Sequence, residues 1–273
     1  MSHVRVALCQ MQSGEDVEEN VRVAEELLDG AADGGADLAA LPEVFSYHGG
    51  ARSSRGAAEP IPGPTTERLA GRARSHRMWV LGGSLHERDG DRVFNSSALF
   101  DREGSLVARY RKIHLFDADI PGQPPLRESA IWTPGEEVVT AETEFGRAGM
   151  SICYDLRFPE LYRALVAKGA QLVFVPSAFT FETGRDHWEI LLRARAIESQ
   201  AFLVAPAQWG PWGPAADSRR CFGNSLVADP WGRVLARAEE GVGVTFADLD
   251  LEQVRRVRER LPALGHRRLG LQC

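Results

Sequence analysis

Short apolar runs of strand length alternate with helical stretches along this whole chain, and that alternation restricts it to the α/β folds. "VRVALCQ" reads as a strand, and Val17 to Leu28 follows as a helix with Val21, Ala24, Leu27 and Leu28 on one face. "GGADLAALPE" is a turn and then a buried strand that ends at Pro42 and Glu43. "TTERLAGRARSHR" is helical, and "MWVLGGSLHE" is a strand. "RVFNSSALFD" pairs with "SLVARYRKIHL" as a hairpin about the turn at Arg102 to Gly104. Phe116 to Gly135 is rich in proline and polar residues and reads as a long loop, a kind of segment that often carries function.

The second half repeats the pattern. "AGMSIC" is a buried strand ending at Cys153, and Pro159 suits the first turn of a helix that sets Leu161, Leu165 and Val166 at helical spacing. "AQLVFVPSAF" is a strand, and "GRDHWEILLRARAIESQ" is a helix with an apolar stripe of Ile190, Leu191, Ala194 and Ile197. "AFLVAPAQ", "GNSLVADPWG", "RVLARAEEG" and "GVTFADLDL" follow as strands, and a basic helix closes the chain. No composition break marks a linker, so residues 1–273 read as one α/β domain with a mixed sheet or two stacked sheets.

Three reactive side chains lie at strand ends: Glu43 after "ADLAALP", Lys112 after "SLVARYR", and Cys153 after "AGMSI". In α/β proteins, reactive groups gather beyond the carboxyl ends of strands. Each has a plainer reading, as a solvated carboxylate, a surface amine or a packed thiol. A cysteine at a strand-to-helix corner either packs as a small apolar residue or faces solvent near a helix N-terminus, where a thiolate is favoured. Lysine usage sharpens the case. Lys112 and Lys168 are the only lysines, and every other one of the 32 basic residues is arginine. A lysine kept beside Arg111 suggests a need for a compact ammonium that donates to a developing oxyanion. A cysteine nucleophile also needs a base, and His114, His187 and Glu43 are the candidates.

The net charge of −6 argues against nucleic acid as a partner, and the basic stretch "VRRVRERLPALGHRRLG" reads as a solvated face or a subunit contact. No charged-then-apolar leader opens the sequence, and no apolar run approaches the length that spans a membrane. The chain is therefore expected in the cytoplasm, with no membrane partner. Cys9, Cys153, Cys221 and Cys273 form no CxxC pair, so a reduced compartment fits. Neither a metal motif nor a nucleotide-binding glycine loop is present, so no cofactor and no metal are expected. The "NSS" at Asn95 has the form of a glycosylation acceptor, which means nothing without secretion.

"LPEVF" around Glu43, "YRKIHLFDADIPG" around Lys112 and "GMSICYDLRFPEL" around Cys153 resemble the signatures of the nitrilase superfamily of carbon–nitrogen hydrolases, in that family's order. "DHWEILLRARAIESQ" and "VADPWGRVLA" match further blocks, and the resemblance runs from about Val4 to Arg268. It implies a four-layer α-β-β-α sandwich with two mixed sheets, which pairs into αββα–αββα homodimers near the helix after Cys153 and the C-terminal segment. It implies that Cys153 attacks an amide carbonyl of a small molecule. Glu43 would be general base and proton relay, and Lys112 would hold the tetrahedral oxyanion with the backbone N–H of Tyr154 as second donor. Glu128, in "RESAIWTPG", matches a second glutamate that holds Lys112 and orients the substrate.

Within the superfamily the chain is most similar to the branch of deaminated-glutathione amidases and omega-amidases. "HLFDADIPG", "LRARAIESQ", "AQWG" and the terminal "HRR" resemble the former most. Such substrates carry a carboxylate, for which Arg157 and Arg195 are candidate anchors, although Arg157 in "DLRFPE" reads equally as a structural ion-pair residue. Tyr154, Phe179 and Thr180 are the remaining candidate substrate-binding residues. Asn224 stands where the branch usually has histidine, and Asp186 stands where a small residue usually precedes "HW". An added acid near the pocket is expected to disfavour an anionic substrate. Other superfamily activities (carbamoyl-amino-acid hydrolysis, aliphatic amide or nitrile hydrolysis) and a degenerate binding module remain as alternatives.

Overall fold

The computed structural model describes residues 3–119, 125–213 and 219–269. Strand β1 (His3–Gln10) alternates faces as its period of two requires: Val4, Val6 and Leu8 point into one apolar cluster, Ala7 and Cys9 into another. Helix α1 (Val17–Asp33) starts where the Asp16 side chain accepts from the Glu19 N–H, and it buries Val21, Ala24 and Leu28. Then come β2 (Leu38–Ala40), α2 (Ala51–Gly56), α3 (Pro64–His76) and β3 (Trp79–Leu81). β4 (Leu85–Asp89), β5 (Arg92–Phe100) and β6 (Leu106–Arg111) complete the first half, with β5 and β6 antiparallel as the turn at Arg102 to Gly104 predicts.

"MWVLGGSLHE" is two strands rather than one. The break falls at Gly82 and Gly83, where Gly83 adopts φ +47° and a Cβ would lie 2.0 Å from the Pro42 carbonyl oxygen. Only glycine permits that approach. The approach lets Ser84 donate its N–H to the Pro42 carbonyl (3.1 Å) and accept the Val44 N–H on its hydroxyl (2.9 Å). Ser84 thus clamps the turn on both sides of Glu43.

The segment from Phe116 to Gly135 is not structureless. It holds a short ladder of β7 (Asp117–Ala118) with β8 (Leu126–Arg127) and a 3₁₀ turn at Glu128–Ala130. β9 (Thr140–Thr143) and β10 (Gly146–Met150) open the second half. β10 stops short of Cys153, which begins a 3₁₀ turn (Cys153–Arg157) before α4 (Pro159–Ala167). β11 (Leu172–Phe174), α5 (Phe181–Ser199), β12 (Phe202–Ala205), β13 (Trp209–Pro211), β14 (Arg220–Phe222), β15 (Leu226–Ala228), β16 (Val234–Arg237), β17 (Gly243–Asp250) and α6 (Glu252–Arg260) follow.

One sheet runs β17-β1-β2-β3-β5-β4 with β6 on β5, and the other runs β16-β15-β12-β11-β10-β9. Both mix parallel and antiparallel pairs. One cluster fills the space between them, joining Val6, Leu8 and Leu99 to Met150, Phe174 and Val204. Helices α1 and α3 cover the outer face of the first sheet through Leu28, Leu69 and Ala73. Helices α4 and α5 cover the second through Leu165, Trp188 and Leu192. This is the α-β-β-α sandwich that the resemblance implies.

Helix α5 corrects the expected stripe. It buries Trp188, Leu192, Arg195, Ala196 and Ser199, and leaves Ile190 (69%) and Ile197 (50%) exposed. Both sets have helical spacing, and the sheet took the face led by the large indole. Among the described residues no helix is long and apolar enough to cross a membrane.

Candidate active site

The strand ends carrying Glu43, Lys112 and Cys153 converge where the two sheets meet. Lys112 is fully buried, and its Nζ donates to Glu43 Oε1 (2.8 Å) and to both oxygens of Glu128 (2.9 and 2.8 Å). An ammonium has three N–H groups, and all three are spent on carboxylate oxygens. Burial alone would discharge such an amine, but Glu128 and Glu43 hold its pKa well above the ordinary lysine range. Glu43 is buried too. Its Oε1 also accepts from Asn95 Nδ2 (2.9 Å), and its Oε2 accepts from the Ala178 N–H (2.8 Å). Glu128 accepts the Phe116 N–H at 2.8 Å, and burial pushes its carboxyl up to about 7, with Lys112 opposing and Glu43 adding to the rise.

Cys153 sits at φ +46°, a left-handed conformation that a cysteine rarely adopts, and its N–H donates to the Pro176 carbonyl at 3.0 Å. It is only 7% exposed, at the floor of a cavity. The expected thiolate at a helix N-terminus does not arise. Helix α4 begins beyond the 3₁₀ turn, and the thiol pKa stands well above the usual range because burial and the charge of Glu43 outweigh Lys112. At rest the sulfur carries its proton, and a base must remove it. Neither histidine is placed to do so. His114 Nδ1 lies 2.7 Å from Asp155 Oδ1 with its ring stacked on Phe158, and His187 Nδ1 lies 3.3 Å from Arg157. The N–H of Tyr154 finds no acceptor among the described residues, whereas its neighbours Cys153 and Asp155 donate to Pro176 and Ile152.

The cavity above Cys153 has a volume of about 230 Å³ and is walled by Glu43, Glu128, Trp132, Tyr154, Phe179 and Thr180, among others. Arg157 reaches the same wall, its guanidinium 5.4 Å from the Phe179 ring centroid, and among the described residues no carboxylate pairs with it. Arg195 is elsewhere. It is buried under α5, where Nε donates to the Leu156 carbonyl (2.9 Å) and Nη1 pairs with Glu198 (3.0 Å), so it braces the turn after Cys153 instead of lining the cavity. Asp186 is exposed and paired with Arg185, and Asn224 adopts φ +58° and donates to the Phe222 carbonyl. Neither lines the cavity, so Asp186 adds no charge to it.

Chain alternation did not reveal Asn95, nor the pair His86 and Trp132. Trp132 Nε1 donates to His86 Nδ1 (2.9 Å), so His86 carries its proton on Nε2 and donates to the Tyr47 carbonyl (3.2 Å). Polar residues in the middle of the apolar strand "RVFNSSALF" were the signal for Asn95, since a buried amide needs a partner.

Residues 5–259 match the family described as Carbon-nitrogen hydrolase. The chain belongs to that family. It is 43% identical to the deaminated glutathione amidase of Bos taurus over 97% of this chain and 82% of that protein. It is 37% identical to the omega-amidase NIT2 of Homo sapiens over 99% of this chain and 97% of that protein. Its fold superposes on the C. elegans NitFhit crystal structure with a TM-score of 0.91 at 39% identity, covering 99% of this chain and 67% of that one. As a carbon–nitrogen hydrolase it is an amide-cleaving enzyme.

Burial also sets an acid limit for this hydrolase. It pushes His86 down to about 4 and His48, stacked on Trp212, down to about 3. Their folded pKa values lie below the unfolded ones, so stability is present above pH 6.5 and is lost as pH falls. Between pH 7 and pH 5 each histidine costs about 2 kcal/mol, and Glu128, whose raised carboxyl gains a proton over the same window, returns about 2 kcal/mol. Urea unfolding is expected to show a net loss of about 2 kcal/mol at pH 5, and a larger one in Glu128→Gln. Equal stability at both pH values in that variant would contradict the neutral buried imidazoles.

Proposed function

We propose that this hydrolase cleaves an amide whose acyl part bears a carboxylate, through a thioester on Cys153, and that its substrate is of the deaminated-glutathione type. The observation that carries the reading is that Glu43 and the strained Cys153 line one cavity, with Lys112 held on Glu43 and Glu128. Glu43 takes the thiol proton as the sulfur attacks the carbonyl carbon. Lys112 and the Tyr154 N–H hold the oxyanion, with Glu128 restraining the lysine. Collapse breaks the C–N bond, and Glu43 delivers its proton to the departing amine. A water, deprotonated by Glu43, then attacks the thioester; the acid leaves and the thiol is restored.

Arg157, with no carboxylate partner among the described residues, is the anchor for the acyl carboxylate, and Tyr154, Phe179 and Thr180 line the acyl site. An omega-amidase acting on 2-oxoglutaramate is the second reading, favoured by near-complete coverage of the human relative. The test is product release, as ammonia or amine, from deaminated glutathione, 2-oxoglutaramate, N-carbamoyl amino acids and aliphatic nitriles. Highest kcat/KM on the first is expected, and higher values on carbamoyl acids or nitriles would overturn the assignment. A reducing, cytoplasmic setting suits a thiol nucleophile, and the shared core between the sheets supports a single domain over residues 1–273.

We also propose a homodimer, seated on α5 rather than α4. Ile190 and Ile197 stand out from α5 beside Trp231 (49% exposed), and the turn at Gly232 packs so close to Ile197 that a Cβ there would lie 2.5 Å from its side chain. Ile197 with the Trp231–Gly232 turn, and Ile190 two turns away on the same helix beyond Arg193, present apolar side chains of the kind that a second copy covers. Sedimentation is expected to give a dimer for the native chain and a monomer for Ile190→Glu/Ile197→Glu. A native monomer at micromolar concentration would refute the pairing.

A further inference from the structure

Asn95 is a buried amide on β5, 1% exposed, and only part of it is satisfied. Nδ2 donates to Glu43 Oε1 at 2.9 Å, while Oδ1 has no hydrogen-bond partner among the described residues. The backbone carbonyl of Asn95 accepts the Lys112 N–H at 2.8 Å. One residue therefore touches the side chain of Glu43 and the main chain of Lys112. A buried carbonyl oxygen without a donor weakens the fold, and an apolar residue of similar size would avoid that loss. What Asn95 supplies in return is a neutral donor on the carboxylate.

That donor has a use that Lys112 cannot fill. All three Lys112 N–H groups are occupied in the resting site, one by Glu43 and two by Glu128. If Lys112 donates to an oxyanion in the transition state, it must release one of them. When the released contact is to Glu43, Asn95 remains on Oε1 and the Ala178 N–H remains on Oε2. Two uncharged donors, one on β5 and one in the segment after β11, then hold the carboxylate where it received the thiol proton and from where it must deliver that proton to the amine.

We propose that Asn95 is the positioning residue of Glu43, holding the carboxylate in line while Lys112 turns to the oxyanion. The inference rests on the mechanistic reading above, so its test needs one readout that does not depend on substrate. Turnover of 2-oxoglutaramate and deaminated glutathione is measured per alkylatable Cys153 thiol for Asn95→Ala and Asn95→Asp, with the melting temperature alongside. Asn95→Ala is expected to lower kcat roughly ten- to a hundredfold. KM should stay within about twofold, because substrate binding in the ground state does not use this contact. The melting temperature should hold or rise. Asn95→Asp keeps the shape, removes the donor and sets a second carboxylate against Glu43, so kcat should fall further. In parallel, the rate at which iodoacetamide labels Cys153 is followed against pH, and it should fall in both variants. If the native enzyme turns over neither amide, the substrate assignment fails while the labelling rates still decide the role of Asn95. Both variants keeping native labelling rates, or losing melting temperature with kcat per thiol unchanged, would overturn the proposal and leave Asn95 a packing residue.

Discussion

Cys153→Ala is expected to abolish turnover and leave the fold standing. The methyl group fits the space of the thiol, the residue 153 N–H keeps its bond to the Pro176 carbonyl, and alanine tolerates the φ of +46° about as well as cysteine does. What is lost is the only sulfur lining the cavity among the described residues. Glu43 and Lys112 remain, but with no nucleophile to activate they act on water alone. Removing a nucleophile that works as a unit with its base costs roughly 10⁴-fold or more in kcat. Alkylation gives the companion result. Cys9 is fully buried and its pKa is pushed up to about 12, and Cys221 is raised further by burial. Cys153 is also protonated at rest, yet it alone of these faces a cavity with a base beside it. Iodoacetamide followed by peptide mass spectrometry should label it first; Cys273 lies outside the described residues. Labelling of Cys9 or Cys221 ahead of it, or turnover by the alanine variant, would remove Cys153 as nucleophile.

Lys112→Arg should cost kcat roughly a hundredfold or more, the loss typical of removing one oxyanion donor. The charge survives the change, but the geometry does not. A planar, longer guanidinium cannot stand at the single point from which Nζ reaches Glu43 and both oxygens of Glu128 within 2.9 Å. KM should change little, because the ground-state carbonyl gains less from that contact than the oxyanion does. Lys168→Arg is the control. Lys168 is exposed and its Nζ donates to the Val138 carbonyl, so its replacement should be silent. A Lys112→Arg enzyme with near-native kcat would mean that a different group stabilises the oxyanion.

Much of the fold could be read from local pattern. The apolar run "VRVALCQ" predicted a strand, which the fold buries on both faces from Val6 onward, and the spacing of Val21, Ala24 and Leu28 predicted the face of α1 that covers the sheet. Where the reading failed, local pattern permitted two answers. Helix α5 has two faces at helical spacing, and nothing in the helix itself says which one meets the sheet. "MWVLGGSLHE" is apolar enough for one strand, and its break depends on how close the Pro42 carbonyl comes.

The sequence by itself determined the alternating elements and the reactive types at their ends: Glu43, Lys112 and Cys153, with a lysine kept where arginine is the rule. These are local properties, set by side-chain periodicity and by what each functional group can do. Only the tertiary structure decided which groups meet. It brought Lys112 to Glu43 across 69 positions, Asn95 to Glu43 across 52, and the Ala178 N–H to Glu43 across 135. It took Arg195 away from the cavity, removed the charge of Asp186 from it, and buried the Cys153 thiol with its proton on. The physical reason is that hydrogen bonds and pKa shifts depend on distance and burial. Between segments so far apart in sequence, both are set by how the two sheets pack.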